Sequence, residues 1–429
     1  MGAVLEPAPL PTALHRLQKN AAALVFLAFA AAYFCSALVR AITATLSPVL
    51  TLDFALQSRD LGLLAGGYFL GFAAMQLPLG SWLDQHGPKR VILYFLSLAV
   101  LGCLAFSMAT SFAWLLAARV LIGMGASACL MAPLTGYRRW LAAPALLRAN
   151  SWMLMTGSLG MLASTLPVQW LMPLTGWRPL FWLMALLLAL SMLAIAALVP
   201  AWQQHGAASG HAAACDLSIL AGPSNLPPSY RDIWRSRYFQ TMSPLAFFNY
   251  GGLVAIQTLW AGPWMVKVAG YSPLQAAAGL FYINAVMLVT FWGWGMVNPG
   301  LVRRGWSANR LVAWGMPLNL LVLTACIAGG ANTGWPGWAL FCMTASVMGL
   351  AQPAVGMSFA PQLAGRALSG YNLVIFSGVF VVQWGIGLLI DAFAAMGLGP
   401  VARFQAALGV FLCCCIASYG FFASRRTDN

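Results

Sequence analysis

Long apolar runs, each closed by a short polar cluster, recur twelve times along the chain. They fall at 21–50, 61–83, 91–110, 112–135, 150–173, 178–200, 243–268, 274–298, 308–331, 335–358, 367–392 and 401–423. Crossing a hydrocarbon core of about 30 Å takes roughly 20 residues of helix, and each run is long enough or nearly so. A helix satisfies its own backbone polar groups, which lipid cannot do, so each run predicts a membrane-spanning helix. The longest polar interval, 201–240, holds Gly206, Ser209, Gly210, Gly222, Pro223, Ser224, Pro227 and Pro228 and predicts a flexible linker. The expected fold is all-α and integral to the membrane. An N-terminal six-helix bundle spans 1–200, a linker 201–240, and a C-terminal six-helix bundle 241–429.

Composition sharpens this picture. Only 7% of the 429 residues are charged, against about 25% in soluble proteins, so lipid is the main solvent of the chain. The net charge of +14 would suggest nucleic acid in a soluble protein, but here the basic residues are scattered through short loops and no nucleic-acid partner is expected. Sixteen of the 22 lie on one side of the predicted spans, four on the other (Arg59, Arg178, Lys267, Arg403), and two inside spans (Arg40, Arg119). That asymmetry predicts both termini and the linker in the cytoplasm. The stretch 1–20 shows no cleavage-site pattern after a short apolar core, so the first span is expected to target the chain. The nine cysteines include no Cys-x-x-Cys pair and read as small packing residues.

Between spans two and three runs Gly80-Ser81-Trp82-Leu83-Asp84-Gln85-His86-Gly87-Pro88-Lys89-Arg90. Gly80 permits close helix approach. Asp84 stands at a helix end, where it can meet the positive N-terminus of a neighbouring helix. Gly87 turns the chain, and Lys89 and Arg90 anchor the next helix among headgroups. After span eight comes a weaker echo, Gly293 to Gly305, with a basic pair at Arg303-Arg304 and no carboxylate. The pattern Gly-x-x-x-Asp-x-x-Gly-x-(Lys/Arg)-(Lys/Arg), in a chain of six spans plus six, resembles the major facilitator superfamily over essentially its whole length. The resemblance implies a membrane carrier without cofactor that works by alternating access, with Gly80, Asp84, Gly87, Lys89 and Arg90 governing conformational gating. It also implies cargo held near the bilayer midplane between the bundles. The expected setting is a multi-pass protein of a bacterial inner membrane, acting as a monomer.

Two cations mark the candidate cargo site, because a charge at membrane depth is costly and so points to function. In span four, Arg119-Val120-Leu121-Ile122-Gly123-Met124-Gly125 resembles the superfamily's fourth-span motif. Arg119 is a candidate for binding cargo or for bonding helix ends within the N-terminal bundle. In span one, Tyr33, Ser36, Arg40, Thr43 and Ser47 recur at helical spacing and form one polar stripe, expected to face the central cavity. Arg40 then offers five donors to an incoming anion, with snorkelling towards headgroups as the alternative. The Tyr-x6-Arg-x7-Pro pattern resembles the organic-anion and organophosphate branches and their lysosomal dipeptide-transporting relatives. Span seven places Asn249, Leu253, Gln257, Trp260 and Trp264 on one helical face, and Trp260-Ala261-Gly262-Pro263-Trp264 is expected to break the helix. It lacks the second arginine expected of a phosphate-ester antiporter, which favours a smaller or singly charged group, such as a carboxylate on an otherwise apolar molecule. Lesser candidates are Tyr68, Gln76, Asn284, Asn372 and Gln383; each could equally bond a neighbouring helix.

None of the eight acidic residues lies mid-span, and all four histidines fall on the cytoplasmic side. The sequence therefore favours facilitated transport, exchange, or symport in which the cargo's own acid group carries the proton. The substrate class expected is a small anionic or zwitterionic organic molecule. One rival is a drug/proton antiporter of the same fold, but the Gly-Pro-x-x-Gly-Gly pattern of such families is absent from span five, where Gly157 to Pro167 stands instead. A non-transporting receptor would be expected to carry a longer loop or tail, and an enzyme would need paired carboxylates or a Ser-His arrangement at membrane depth.

Overall fold

The computed structural model describes residues 17–141, 143–200 and 230–425, and the fold is helical throughout them. Twelve membrane helices follow in chain order, numbered α1 to α12. The first six are α1 (Lys19–Asp53), α2 (Ser58–Leu83), α3 (Gln85–Ser107), α4 (Phe112–Ala126 and Ala128–Trp140), α5 (Ala143–Ala163 and Leu166–Thr175) and α6 (Trp177–Leu198). After a short helix, Tyr230–Arg235, comes α7, which runs from Arg237 to Lys267. The set closes with α8 (Pro273–Arg303), α9 (Ala308–Gly329), α10 (Trp335–Met357), α11 (Leu363–Ala395) and α12 (Pro400–Arg425). Most of the expected linker lies outside the described residues. Its last part, expected to be flexible, is helical: Ile233 is fully buried and anchors the short helix against the second bundle.

Among the described residues, ten spans are long and apolar enough to cross a membrane as single helices; α5 and α7 are the two that depart. In α5 the helix breaks at Ser164-Thr165 because Pro167, in the first turn of the second piece, has no N–H to give. The freed carbonyl of Ser164 takes a 2.8 Å bond from the Thr45 hydroxyl of α1, so the break is satisfied from the neighbouring helix. In α7 the expected interruption at Trp260–Trp264 does not occur. Residues Ala261–Lys267 are regular helix, and the irregularity lies in two π-helical turns before it, Ala246–Tyr250 and Ile256–Trp260. The second ends just ahead of Pro263, where a wider turn accommodates the missing N–H of the proline.

Small residues set the packing. A Cβ on Gly123 would fall on the Tyr68 carbonyl, and one on Gly71 on the Val120 carbonyl, so α2 and α4 touch backbone to backbone. This contact carries the interior of α4 up against α1. Between the bundles, α2 runs along α11. A Cβ on Gly62 would overlap the Gln383 carbonyl, and one on Gly387 the Ser58 carbonyl. On α7, Gly262 lies against α1, where a Cβ would stand 3.1 Å from the Ala44 carbonyl. These contacts seal the end of the molecule that bears the α1–α2 and α11–α12 turns. The other end carries the α2–α3 turn and the basic pairs, and is called here the basic end. There Gly80 still approaches α11, with its Cβ position 3.6 Å from the Ser369 hydroxyl.

The α2–α3 turn has the shape its sequence implies. Gly87 adopts φ 74° and ψ 163°, a left-handed conformation that side chains resist, and Pro88 follows it into α3. Lys89 donates a 2.7 Å bond to the Val199 carbonyl at the end of α6, where orphan carbonyls and the negative helix end favour a cation. Arg90 is exposed, and the Asp84 side chain lies outside the described residues. Gly305, with φ 79°, makes the corresponding turn between α8 and α9.

Candidate functional site

The residues with most to offer an incoming molecule meet on α1, midway between its ends. Arg40 is half-buried there. One of its terminal nitrogens points at the Met161 sulfur of α5, 3.6 Å away, and its buried Nε has no hydrogen-bond partner. A thioether is a weak acceptor, so the cation is under-satisfied. No carboxylate pairs with Arg40 among the described residues. Tyr68 of α2 and Tyr250 of α7 both lie within electrostatic reach of the guanidinium, and Tyr33, two turns before Arg40 on α1, is within reach of Tyr250. Tyr68 is fully buried, and its hydroxyl faces Ser36 without closing a bond of normal geometry. Tyr33, Arg40, Met161 and Tyr68 come from the first bundle and Tyr250 from the second, so the cluster spans the divide between them. Aromatic rings continue from Tyr68: Phe72 lies 6.1 Å from its ring, and Phe376 of α11 packs on Phe72 at 4.4 Å and on Phe69 at 6.2 Å between ring centres.

Arg119 is placed quite differently. It is fully buried, and its terminal nitrogens donate to the Val39 carbonyl at 2.8 Å, the Arg40 carbonyl at 3.3 Å and the Thr43 hydroxyl. Its guanidinium carbon stands 5.4 Å from the centre of the Tyr68 ring. Its Nε has no partner, but both terminal nitrogens are engaged and the Tyr68 ring lies against the group, so here Arg119 fastens α4 to α1. Of the two roles the sequence left open for it, this geometry matches the bonding of helices within the bundle.

The expected face of α7 turns inward. Asn249 donates to the Ser418 hydroxyl of α12 at 2.9 Å, and Gln257 to the Asn284 side chain of α8 at 3.0 Å. Trp260 donates to the Gln383 carbonyl of α11 at 3.1 Å, and Trp264 to the Thr333 carbonyl at 2.9 Å. Gln383 in turn donates to Thr258. Asn372 accepts a 2.7 Å bond from Gln352, and Gln76 bonds the Phe72 carbonyl within its own helix. Each of these amides and indoles has a partner inside the protein, and all but Gln76, which stays within α2, tie together helices of the second bundle. Tyr250 and Met161 are the side chains near Arg40 that the sequence reading missed. A helical wheel at 3.6 residues per turn cannot place Tyr250, because the π-turn containing it winds more residues into each turn. Met161 reads as one apolar residue among many.

The described acidic side chains all sit at the ends of helices. Asp53 accepts a 2.8 Å bond from the Trp177 indole, Asp60 accepts from its own cap at Gln57 N, and Asp391 bonds the start of α2.

The Major Facilitator Superfamily model matches residues 29–383. No curated protein matches the sequence. Among solved structures, the chain is similar to a bacterial homolog of the human lysosomal transporter Spinster in an inward-facing, unoccupied conformation. The TM-score is 0.75 at 16% identity, over 95% of this chain and 98% of that one. The occupied inward-facing form of that homolog matches at 0.74 and 16%, over 95% and 97%. A D-xylose–proton symporter matches at 0.74 and 13%, over 94% and 97%. At these identities the likeness is one of fold.

Proposed function

The chain belongs to the major facilitator superfamily, and from that premise we propose that it carries a small organic anion or carboxylate-bearing metabolite by alternating access, with Arg40 as the cargo's anchor. The observation behind this reading is the state of Arg40: a cation at membrane depth, half-buried, with a sulfur for its nearest partner and an orphaned Nε. Leaving such a group unpaired is expensive, and a ligand carboxylate would supply the missing acceptor in the geometry the guanidinium fork prefers. The aromatic wall beside it suits an apolar body on the cargo. Tyr33 and Tyr250 would add hydroxyls from opposite bundles, making the cargo a bridge between the two halves that must rock. In this reading the basic end faces the cytoplasm, so the sealed face is the outer one. With every described carboxylate at a helix end, the energy would come from the cargo gradient, from exchange, or from a proton bound to the cargo itself.

The test is a thermal-shift screen of the purified protein against carboxylates, phosphates, peptides and amines, since a ligand that binds the folded state raises its apparent stability. Carboxylates are expected to give shifts that vanish in Arg40→Ala while the melting temperature without ligand stays the same. A set of hits made up of lipophilic cations, with protection in an efflux assay, would overturn the anion reading in favour of a drug antiporter.

A further inference from the structure

Asp391, near the end of α11, reaches across the bundle divide to the start of α2. Its two oxygens accept the backbone N–H groups of Ser58 at 3.2 Å and Arg59 at 2.8 Å. These are among the first amides of a long helix, which have no acceptor within it, and the helix end carries partial positive charge. The amide just before them, at Gln57, is taken by α2's own Asp60 at 3.0 Å. The start of α2 is therefore capped partly by itself and partly by the other half of the molecule. The reach is possible because Gly387, one turn earlier on α11, lets the two backbones touch at Ser58. The charged groups around Asp391 are Arg59 and Asp60 on α2, which pair at 3.8 Å, and Lys267 on α7 and Arg403 nearby on α12.

We propose that Asp391 is a latch between the bundles: it holds this face of the carrier shut and thereby sets the balance between the two conformations, without touching cargo. Bonds of 2.8 and 3.2 Å to backbone groups of the opposite bundle cannot survive a rocking motion that parts α2 from α11 at this end. The closed state has both bonds and the open state has neither. Asparagine at 391 has the same shape but loses the charge and aims an N–H₂ group at one of the two donors. Charge-assisted bonds of this kind are strong enough that the closed-to-open ratio should fall about tenfold or more.

The experiment measures distances between spin labels at Leu52 on α1 and Met396 just past α11, which are 82% and 72% exposed at the sealed end of opposite bundles. The labels are placed in a cysteine-depleted background, and the protein is measured without ligand in lipid nanodiscs. Asp391→Asn should move the population from the short distance to a longer one by about tenfold or more. Asp60→Asn, which alters a bond within α2 alone, should leave the distribution as it was. Ser58→Pro attacks the same latch from the other side. It deletes one donor at the first position of a helix, where proline is tolerated and where Gln57 already has the extended backbone that proline requires. It should shift the distribution in the same direction, and it stands in if Asp391→Asn does not fold. An unchanged distribution in the variants that fold overturns the latch. Arg40→Ala should leave these ligand-free distances unchanged, so the anchor and the latch can fail independently.

Discussion

Arg40 and Arg119 carry the same charge, stand on touching helices and share one stretch of α1 backbone, yet their surroundings are opposite. Arg119 is enclosed by two carbonyls, a hydroxyl and an aromatic face. Arg40 has only a sulfur atom for its terminal nitrogens, and the Nε of both arginines is unpaired. The cost of burying a cation is largely met inside the protein in the first case, at its terminal nitrogens, and left largely unmet in the second. Charge and depth alone therefore do not mark a binding residue; the state of its donors does. That difference also separates a group whose loss should damage the fold from one whose loss should damage recognition.

The comparison can be broken most sharply at Arg119. Replacing it with leucine removes a cation whose terminal nitrogens are all engaged and leaves its partners on α1 bare, which should cost about 3 kcal/mol of stability. The expected sign is a lower melting temperature of the purified protein whether or not ligand is present. A variant as stable as the parent would erase the distinction drawn between the two arginines. A smaller effect is expected from Arg40→Lys, which keeps the charge and loses the planar fork. Binding of the carboxylate found by the screen should weaken about tenfold by calorimetry, with stability unchanged. If binding were unaffected, a point charge would suffice and the two-pronged contact would be wrong. The smallest change, Tyr250→Phe, deletes one hydroxyl from the second bundle. It should weaken the same ligand about threefold and leave the melting temperature alone. An equal loss of affinity and stability would make Tyr250 a packing residue.

The membrane helices were legible because the lipid imposes one rule on all of them: a run of about 20 apolar residues must become a helix. Their breaks were harder to see. Pro167 was visible as a displaced proline, but the α5 kink is stabilised by Thr45, 119 residues away from its acceptor. In α7 the helical wheel assumed a constant turn, and two π-turns rotated the polar face towards α8, α11 and α12. The stripe on α1 could be read because that helix stays regular past Arg40. The fate of Arg119 could not, since its partners are mostly main-chain carbonyls, which leave no mark on residue identity. Asp391 reads as a loop-end acid; its contact with Ser58 joins positions 333 residues apart. In the sequence, Asp84 is the carboxylate expected to meet a helix N-terminus; the structure shows such a pairing at the opposite end of the same helix, made by Asp391.

One bond ties the two arginines into a single mechanical element. Arg119 grips the carbonyl of Arg40 itself, so the turn of α1 that bears the half-buried guanidinium is bolted to α4. Any pull that a captured molecule exerts on that side chain is delivered to two rods at once, and the load reaches the far end of α4 without passing through a loop.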